Sequence, residues 1–412
     1  MTVPTAGGRL LRADIVVVGG GLAGLSAALA LTAAGFEVVV LEARTRPPQD
    51  AWGWLIWPQG VRTLARLGML RQVTASGCML RRIRWYLGDG RPLFSLDLER
   101  LGGDTPFVGI LPSRLESMLA EEASRRRVTV LTGVERWSLD RDEGLLFHVR
   151  AAPNGAQLRI SSRLAVGADG PNSKLRTMVG IPVRRWRPRG QAIATGIGGR
   201  LGFQEVRQAI GAGWSGGCQT LGEDASWLYA VVRRRTGIEE GVDLVRACGD
   251  VVPGSRDALE GLAQVRVVRP WSLRVSRWAD DRVLLIGDAA HGMLPHLGLG
   301  GSSTLEDIPV MAEIVGACLR QRRTGAGPLQ EFQARRAPRV ALARRVTGML
   351  AFAMTNRVPG LHPVRDWGLE RFSMRPGRVE ALVRQLIAAD RVHVRALLAR
   401  DRSDTRQGEE GW

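Results

Sequence analysis

The stretch Asp14-Ile15-Val16-Val17-Val18-Gly19-Gly20-Gly21-Leu22-Ala23-Gly24 decides the fold. Its first five residues form an apolar, β-branched run of the kind buried on both faces of a parallel sheet. Gly19, Gly21 and Gly24 follow at the spacing that turns the chain tightly, brings backbone close to a pyrophosphate, and packs the next helix on the strand. Residues 22–34 are rich in Ala and Leu and predict that helix, stopped before Gly35. Residues 36–41 predict a second strand, and Glu42 stands at its end, eighteen positions after Gly24. A carboxylate there can accept both ribose hydroxyls of an adenosine. The phosphates then sit on the helix N-terminus, at Leu22 and Ala23, where unpaired N–H groups and the helix dipole favour anions. Strand, glycines, helix, strand and acid together predict a dinucleotide-binding βαβ unit without deciding which dinucleotide.

Outward from this unit, residues 58–67 predict a helix with Pro58 in its first turn and Gly68 as its stop. Residues 115–127 predict another, ending in Arg125, Arg126 and Arg127, where positive charge suits a helix C-terminus. Residues 128–131, 145–149 and 164–168 predict strands, the last running into Asp169-Gly170. From about 181 to 277 the pattern changes to frequent glycines and short alternating segments such as 227–232, which predicts an inserted antiparallel sheet. Trp227 and Tyr229 share one face of it, and that face either lines a pocket or is ordinary sheet core. Residues 283–286 resume the buried-strand pattern and end on Gly287-Asp288. Beyond Thr304 the pattern is helical, with Pro328 and Pro338 as expected breaks, and a polar tail begins at Ser403. The expected fold is α/β: a Rossmann-like cofactor domain (1–180 and 278–325), an inserted substrate-binding β-sheet domain (181–277) and a helical C-terminal region (326–412).

Composition bounds the partners. Of 412 residues, 45% are apolar and 5% aromatic, ordinary for a chain that buries a sizeable core. No apolar run reaches the roughly 18 residues needed to span a bilayer. Residues 1–13 lack the apolar core of a signal peptide, so a cytoplasmic protein is expected. The net charge is +18, nearly all of it arginine, with Lys174 the only lysine. Such a field favours anionic ligands. The arginines are scattered, with no segment of nucleic-acid-binding type, so no nucleic-acid partner is expected. A peripheral encounter with a membrane stays open. Cys78, Cys218, Cys248 and Cys318 are far apart and form no redox or zinc spacing. The five histidines are dispersed, and Pro295 separates His291 from His296, so no metal site is expected.

Two later motifs narrow the dinucleotide. Asp169-Gly170 is followed by Pro171, Asn172, Ser173 and Arg176. Gly287-Asp288-Ala289-Ala290-His291 is followed by Pro295, Gly298, Gly300, Gly301, Ser302 and Ser303. Asp288 ends a strand, where ligands bind in open α/β sheets, and the glycines after it can pass close to a flat ring. Ser303 and Glu306 have the spacing of a capping box and predict a helix start there. With the fingerprint at 19–24, these motifs at 167–176 and 287–307, and the tail Phe332-Gln-Ala-Arg-Arg-Ala-Pro-Arg339, nearly the whole chain resembles the flavoprotein aromatic hydroxylases of the p-hydroxybenzoate and salicylate hydroxylase type.

The resemblance implies FAD as cofactor, NADPH or NADH as reductant and O2 as co-substrate. It implies a monooxygenase that hydroxylates or epoxidises an electron-rich, aromatic small molecule through a C4a-hydroperoxyflavin, as a monomer or homodimer. Carried over by position, Glu42 binds the adenosine ribose with Arg44 beside it, and Arg114 matches an arginine near the FAD phosphates. Asp169 and Gly170 belong to a motif used for FAD and NAD(P)H. Asp288 bonds the ribityl or pyrophosphate region, Pro295 sits near the flavin's reactive edge with Gly298 after it, and Gly300, Gly301 and Ser302 face the pyrimidine side. This chain departs from many relatives in having Leu299 where they carry Gln, and no amide near Ser302. Trp54, Trp227, Tyr229, His291 and Pro295 are the pocket candidates, with His291 read first as ordering its loop. Trp52-Gly-Trp54-Leu-Ile-Trp57-Pro58 echoes a flavin-dependent halogenase signature, but Lys174 is the one lysine able to serve such chemistry. A reductase, dehydrogenase or halogenase on the same fold, or a catalytically altered FAD-binding protein, are the alternatives.

Overall fold

A computed structural model describes residues 9–47, 49–141, 144–151, 156–188, 191–233, 252–262, 265–355, 361–373 and 376–388. Cys248 and the polar tail from Ser403 lie outside them. Strand Arg9–Val18 is the centre of an eight-stranded sheet. Ala156–Gly167 and Val38–Leu41 flank it in parallel. Val283–Leu285 and Thr129–Leu131 lie outside those, also parallel. Ala279–Asp280 closes one edge antiparallel, while Leu145–Ala151 and Val134–Asp140 extend Ala156–Gly167 as antiparallel strands. Ile15, Val16 and Val17 are wholly buried, as the β-branched run predicts, each burial contributing about 1.5–3 kcal/mol.

The register decides where a site can form. Val18 pairs with Gly167 and with Leu41, and Gly167 pairs with Leu285. Four parallel strands therefore end level with one another, and the residues just beyond them are Gly19, Glu42, Ala168-Asp169 and Ile286-Gly287-Asp288. Motifs more than a hundred positions apart become neighbours. Helix Leu22–Ala33 packs against helices Pro112–Arg125 and Leu299–Arg320 over this sheet.

A second sheet of seven strands runs in the order Val265–Val268, Gln191–Gly198, Ser226–Arg233, Trp214–Thr220, Glu205–Gly211, Arg82–Leu87 and Pro92–Asp97. Five of these strands fall in the expected insert. The last two come from within 1–180, so the division at 181 does not follow the sheet. Residues 82–97 form a hairpin that pairs in parallel with Glu205–Gly211, a partner over a hundred positions away that local pattern cannot reveal. Val183–Trp186 and Ser272–Val275 form a separate two-stranded ribbon. A third sheet, Trp54–Ile56, Phe107–Ile110 and Cys78–Leu80, touches the second through Phe107–Ile110 and Trp214–Thr220 and packs on helix Leu299–Arg320 through Trp54–Ile56.

Pro328 and Pro338 do not break the C-terminal helices. Ala326–Thr355 runs continuously, with Pro328 in its first turn, where the missing N–H has no partner to lose, and Pro338 inside it. Tertiary bonds on either side of Pro338 hold it. Arg336 is 5% exposed and donates to Asp307 Oδ1 (2.8 Å), Glu306 Oε2 (2.8 Å) and Ser303 O (3.0 Å). Arg339 donates to Glu306 and to the carbonyls of Gln385 and Leu386. With Gln59 and Arg62 it caps the C-terminal carbonyls of helix Pro376–Ile387, where cations are favoured. Removing Arg336 takes the buried arginine from Asp307 and leaves Glu306 with Arg339 alone. Arg336→Ala is expected to lower stability by about 3–5 kcal/mol in urea unfolding, whereas the exposed Arg335→Glu313 pair gives less than about 1 kcal/mol on the same assay.

Candidate functional site

Gly19 adopts φ +103°, a conformation closed to most side chains. A Cβ on Gly24 would stand 1.7 Å from the Gly19 carbonyl oxygen, so helix and turn meet with no room for one. The fingerprint glycines thus satisfy a close approach. Gly21 is the helix N-cap and offers no side-chain partner of its own, and in the first turn the Leu22 N–H donates to the Glu116 carboxylate, so this terminus already receives a negative charge.

Glu42 stands across from this terminus. Its Oε2 accepts the Gly20 N–H at 2.6 Å, and its Oε1 accepts the Arg44 N–H at 2.7 Å and Arg44 Nε at 3.0 Å. Burial alone would raise its pKa, but the Arg44 side chain and the two backbone donors outweigh it and hold the carboxyl below the usual range. The acid is therefore ionised at neutral pH, ready to accept hydroxyl donors.

Arg44 also reaches Glu116 Oε2 at 3.1 Å. Glu116, absent from the sequence expectations, lies on helix Pro112–Arg125 with Oε1 about a van der Waals contact from where a Gly21 side chain would begin. Desolvation pushes its pKa up, against the pull of Arg44. No local pattern marks it, because only the packing of two helices brings it to the glycines. Arg114, two residues earlier, points elsewhere. It donates to Ser76 O at 3.0 Å and lies 3.7 Å from Asp224. In this arrangement Arg114 faces Ser76 and Asp224, while Glu116, two positions on, faces the fingerprint glycines.

The two later motifs lock to each other. Asp169 Oδ2 accepts the Lys174 and Leu175 N–H groups, capping helix Lys174–Met178, and Gly170 takes φ +75°. Asp169 Oδ1 is buried without a partner. Arg176 on that helix donates to the Ala289 carbonyl (2.8 Å) and the Pro171 carbonyl (2.9 Å). Lys174 is bound to the Trp137 carbonyl and lies over the Trp137 ring at 4.5 Å, away from the motif loops.

Gly287 (φ +56°) turns the strand end into the short helix Asp288–His291. No donor among the described residues reaches the Asp288 carboxylate. Desolvation pushes its pKa up; the His291 charge opposes this and Asp307 adds to it. His291 is 1% exposed, and its Nε2 lies 2.6 Å from Asp307 Oδ2. An ionised carboxylate only accepts, so Nε2 carries the proton of that bond. The same oxygen accepts the Gly287 N–H at 2.9 Å. His291 thus orders its loop and is not aimed into a pocket.

The helix after the loop starts at Leu299, not at Ser303. Gly298, with φ +62°, is its N-cap, and Ser303 is buried in its second turn. Glu306 makes no capping box because Arg336 and Arg339 hold its carboxylate. A Cβ on Gly300 would meet nothing within 4 Å, so open space lies in front of that N-terminus. Ser302 Oγ accepts the Trp57 N–H at 2.9 Å, and Trp57 Nε1 donates to the Leu297 carbonyl at 2.9 Å.

The second sheet closes over the neighbouring loop. Trp227 and Tyr229 stack at 4.4 Å on one face, with Ile193 and Val231, while Leu228 and Ala230 enter a separate core behind. Trp227 Nε1 donates to Thr195 Oγ1, which donates to the Ala51 carbonyl, and Gln219 donates to the Trp54 carbonyl. That face is thereby tied to the loop entering Trp54–Ile56. Of the three tryptophans there, Trp52 is 45% exposed, Trp54 is half-buried and Trp57 packs on Phe107. Among the described residues no cluster of metal-ligating side chains occurs.

These residues fit FAD: a helix N-terminus capped by a glycine, an ionised acid across from it, unpaired carboxylate oxygens on Asp169 and Asp288, and free space before Gly300. Residues 12–206 and 250–347 match the family model described as FAD binding domain. The chain is 31% identical over 312 residues, 73% of its length and 80% of the relative's, to 2-heptyl-3-hydroxy-4(1H)-quinolone synthase of Mycobacteroides abscessus. It is 29% identical to 6-methylpretetramide 4-monooxygenase of Streptomyces rimosus, covering 84% of this chain and 85% of that one. In fold it is similar to P. aeruginosa PqsL in complex with 2-aminobenzoylacetate (TM-score 0.74, 24% identity, 87% of this chain and 99% of that chain). It is likewise similar to Klebsiella pneumoniae HpxO complexed with FAD and uric acid (TM-score 0.73, 24% identity, 92% and 96%).

Two outcomes are expected. Asp288→Ala and Glu42→Ala each remove a charged acceptor and should weaken FAD retention roughly tenfold to hundredfold, read by flavin absorbance after dialysis. Asp307 has its pKa lowered: burial would raise it, but His291 and Arg336 outweigh burial. Its stabilisation is therefore present above the ordinary carboxylate value and is lost as pH falls through the folded-state value. Melting temperature measured against pH should fall on the acid side in the wild type, and Asp307→Asn should start lower and fall less.

Proposed function

We propose, from the premise that the chain belongs to the FAD binding domain family and is a FAD-dependent monooxygenase using NAD(P)H and O2, that its substrate is an electron-rich aromatic small molecule hydroxylated beside the Pro295 loop. The observation that carries this reading is the level ending of four parallel strands, which gathers the three motifs, together with the tie of the Trp227–Tyr229 sheet to the Ala51–Trp54 loop. FAD, when bound, supplies the redox chemistry and the activated oxygen.

The chain's own part is to bind, orient and exclude water. Glu42 would accept the ribose hydroxyls, the N-terminus of Leu22–Ala33 would hold the phosphates with Arg44 beside it, and Asp288 would accept a ribityl hydroxyl. The N–H groups of Gly300, Gly301 and Ser302, at the open end of a 22-residue helix, would favour negative charge on the pyrimidine side. Trp54, Trp227 and Tyr229 would form the apolar wall against which an aromatic ring stacks and from which water is excluded. The named activities of the similar quinolone synthase and pretetramide monooxygenase support a substrate of fused or hydroxylated rings. A division into a cofactor unit, a sheet unit that takes in residues 82–97 with the insert, and a helical tail, a cytoplasmic location and a monomeric or homodimeric state belong to the same proposal. No helix of the described residues is long and apolar enough to cross a membrane.

The test is NAD(P)H oxidation and oxygen uptake by purified holoprotein with phenolic, quinolone and polyketide-like aromatics, with products identified by mass spectrometry. The expected outcome is substrate-stimulated oxidation with one oxygen atom gained. Oxidation that no aromatic stimulates, or a dehydrogenated or halogenated product, would overturn the reading.

A further inference from the structure

His296 differs from the other histidine of this loop, His291, in having no partner on its ring among the described residues. It is 6% exposed, and neither Nδ1 nor Nε2 has a hydrogen-bond partner among the described residues. Its sequence neighbours Met293, Leu294, Leu297 and Leu299 are apolar, and an apolar side chain would fill a closed interior more favourably. His291, five positions earlier, shows the usual arrangement for a buried histidine, with Asp307 on its ring nitrogen. Native proteins rarely leave both nitrogens of a buried imidazole unpaired, and an exception calls for a partner absent from the polypeptide.

The surroundings say where that partner comes from. His296 follows Pro295 and precedes Leu297, whose φ of +65° is a left-handed conformation unusual for a branched residue, then Gly298 at +62°. Trp57 Nε1 holds the Leu297 carbonyl, which locks the turn. The turn packs on strand Trp54–Ile56 and on helix Ala326–Thr355, and that helix also touches strands Trp214–Thr220 and Ser226–Arg233. His296 therefore sits in the turn that follows the Asp288 loop, packed on the strand that begins at Trp54 and on the helix that in turn reaches the sheet of Trp227 and Tyr229. Burial alone pushes its pKa down to about 4, with no charged group contributing. At neutral pH the ring is uncharged, with one nitrogen donating and the other accepting.

We propose that His296 contacts the substrate directly, pairing its two ring nitrogens with an O–H or N–H donor and a neighbouring acceptor on a hydroxyarene or oxo-heteroarene. This rests on the monooxygenase reading above and adds to it the polar edge that the substrate must present. It also assigns selectivity: an aromatic compound whose donor is blocked by a methyl group leaves the imidazole unpaired. A polar site discriminates strongly against an analogue that lacks its hydrogen-bonding group.

The experiment titrates holoprotein with 4(1H)-quinolone, 3-amino-4-hydroxybenzoate and urate, each beside an analogue methylated at its donor, and reads dissociation constants from the flavin absorbance shift. Wild type, His296→Phe and His296→Gln are compared, with FAD content measured for each. For an unmethylated compound that binds the wild type, His296→Phe should weaken binding about tenfold, change the methylated analogue by less than about twofold and leave FAD content unaltered, while His296→Gln recovers part of the loss. Unchanged affinity in His296→Phe, an equal loss for both members of a pair, or a fall in FAD content alone would overturn the proposal. A wild type whose flavin spectrum responds to none of the unmethylated compounds would instead overturn the aromatic-substrate reading on which it rests.

Discussion

The Asp307 carboxylate is the point at which the site and its support are joined. One oxygen takes the Gly287 N–H and His291 Nε2, and the other takes Arg336. The group is wholly buried, so each bond is made in a medium where an unpaired charge would be costly. Through Gly287 it sets the turn that presents Asp288. Through His291 it fixes the loop leading to Pro295. Through Arg336 it fastens both to the long C-terminal helix, with Glu306 as the second counter-charge. Three segments that share no sheet are held in one arrangement by a single side chain and its donors.

The rest of the site follows from strand ends and from the loops that join them. Arg176 bonds the Ala289 carbonyl, so the segment after Asp169 and the segment after Gly287 hold each other. Trp57 links the second half of the same region, with its backbone on Ser302 and its indole on Leu297. The aromatic sheet is tied to the loop at Ala51–Trp54 through Thr195 and Gln219. Each tie spans elements remote in sequence, which is why the cofactor face and the substrate face keep a fixed relation.

Much of this was legible beforehand for physical reasons that are local. A β-branched run, glycines at three set positions and an acid after the next strand report a βαβ unit, because backbone sterics and strand burial act over a few residues. Asp169-Gly170 and Gly287-Asp288 were legible as strand ends for the same reason. Local signals failed where a long-range partner decided. Ser303 and Glu306 have capping spacing, but Gly298 starts the helix and two arginines claim Glu306. Pro338 looks like a break, but Arg336 and Arg339 hold the helix across it. No local signal marks Glu116, which helix packing brings to the glycines while Arg114, two positions earlier, lies beside Ser76 and Asp224. Trp227 and Tyr229 could be placed on one face by alternation, but not which face meets the cofactor unit.

The sequence by itself determined the cofactor class, the βαβ unit and the two further strand ends that finish level with it, because each depends on residue types at short spacing. Only the tertiary structure decided that residues 82–97 belong to the second sheet, that His291 is held by Asp307 while His296 has no ring partner among the described residues, and that Glu116 stands at the fingerprint. Those depend on register and helix packing between segments far apart in the chain, where burial and counter-charge are properties of the assembled molecule and not of any one stretch of it.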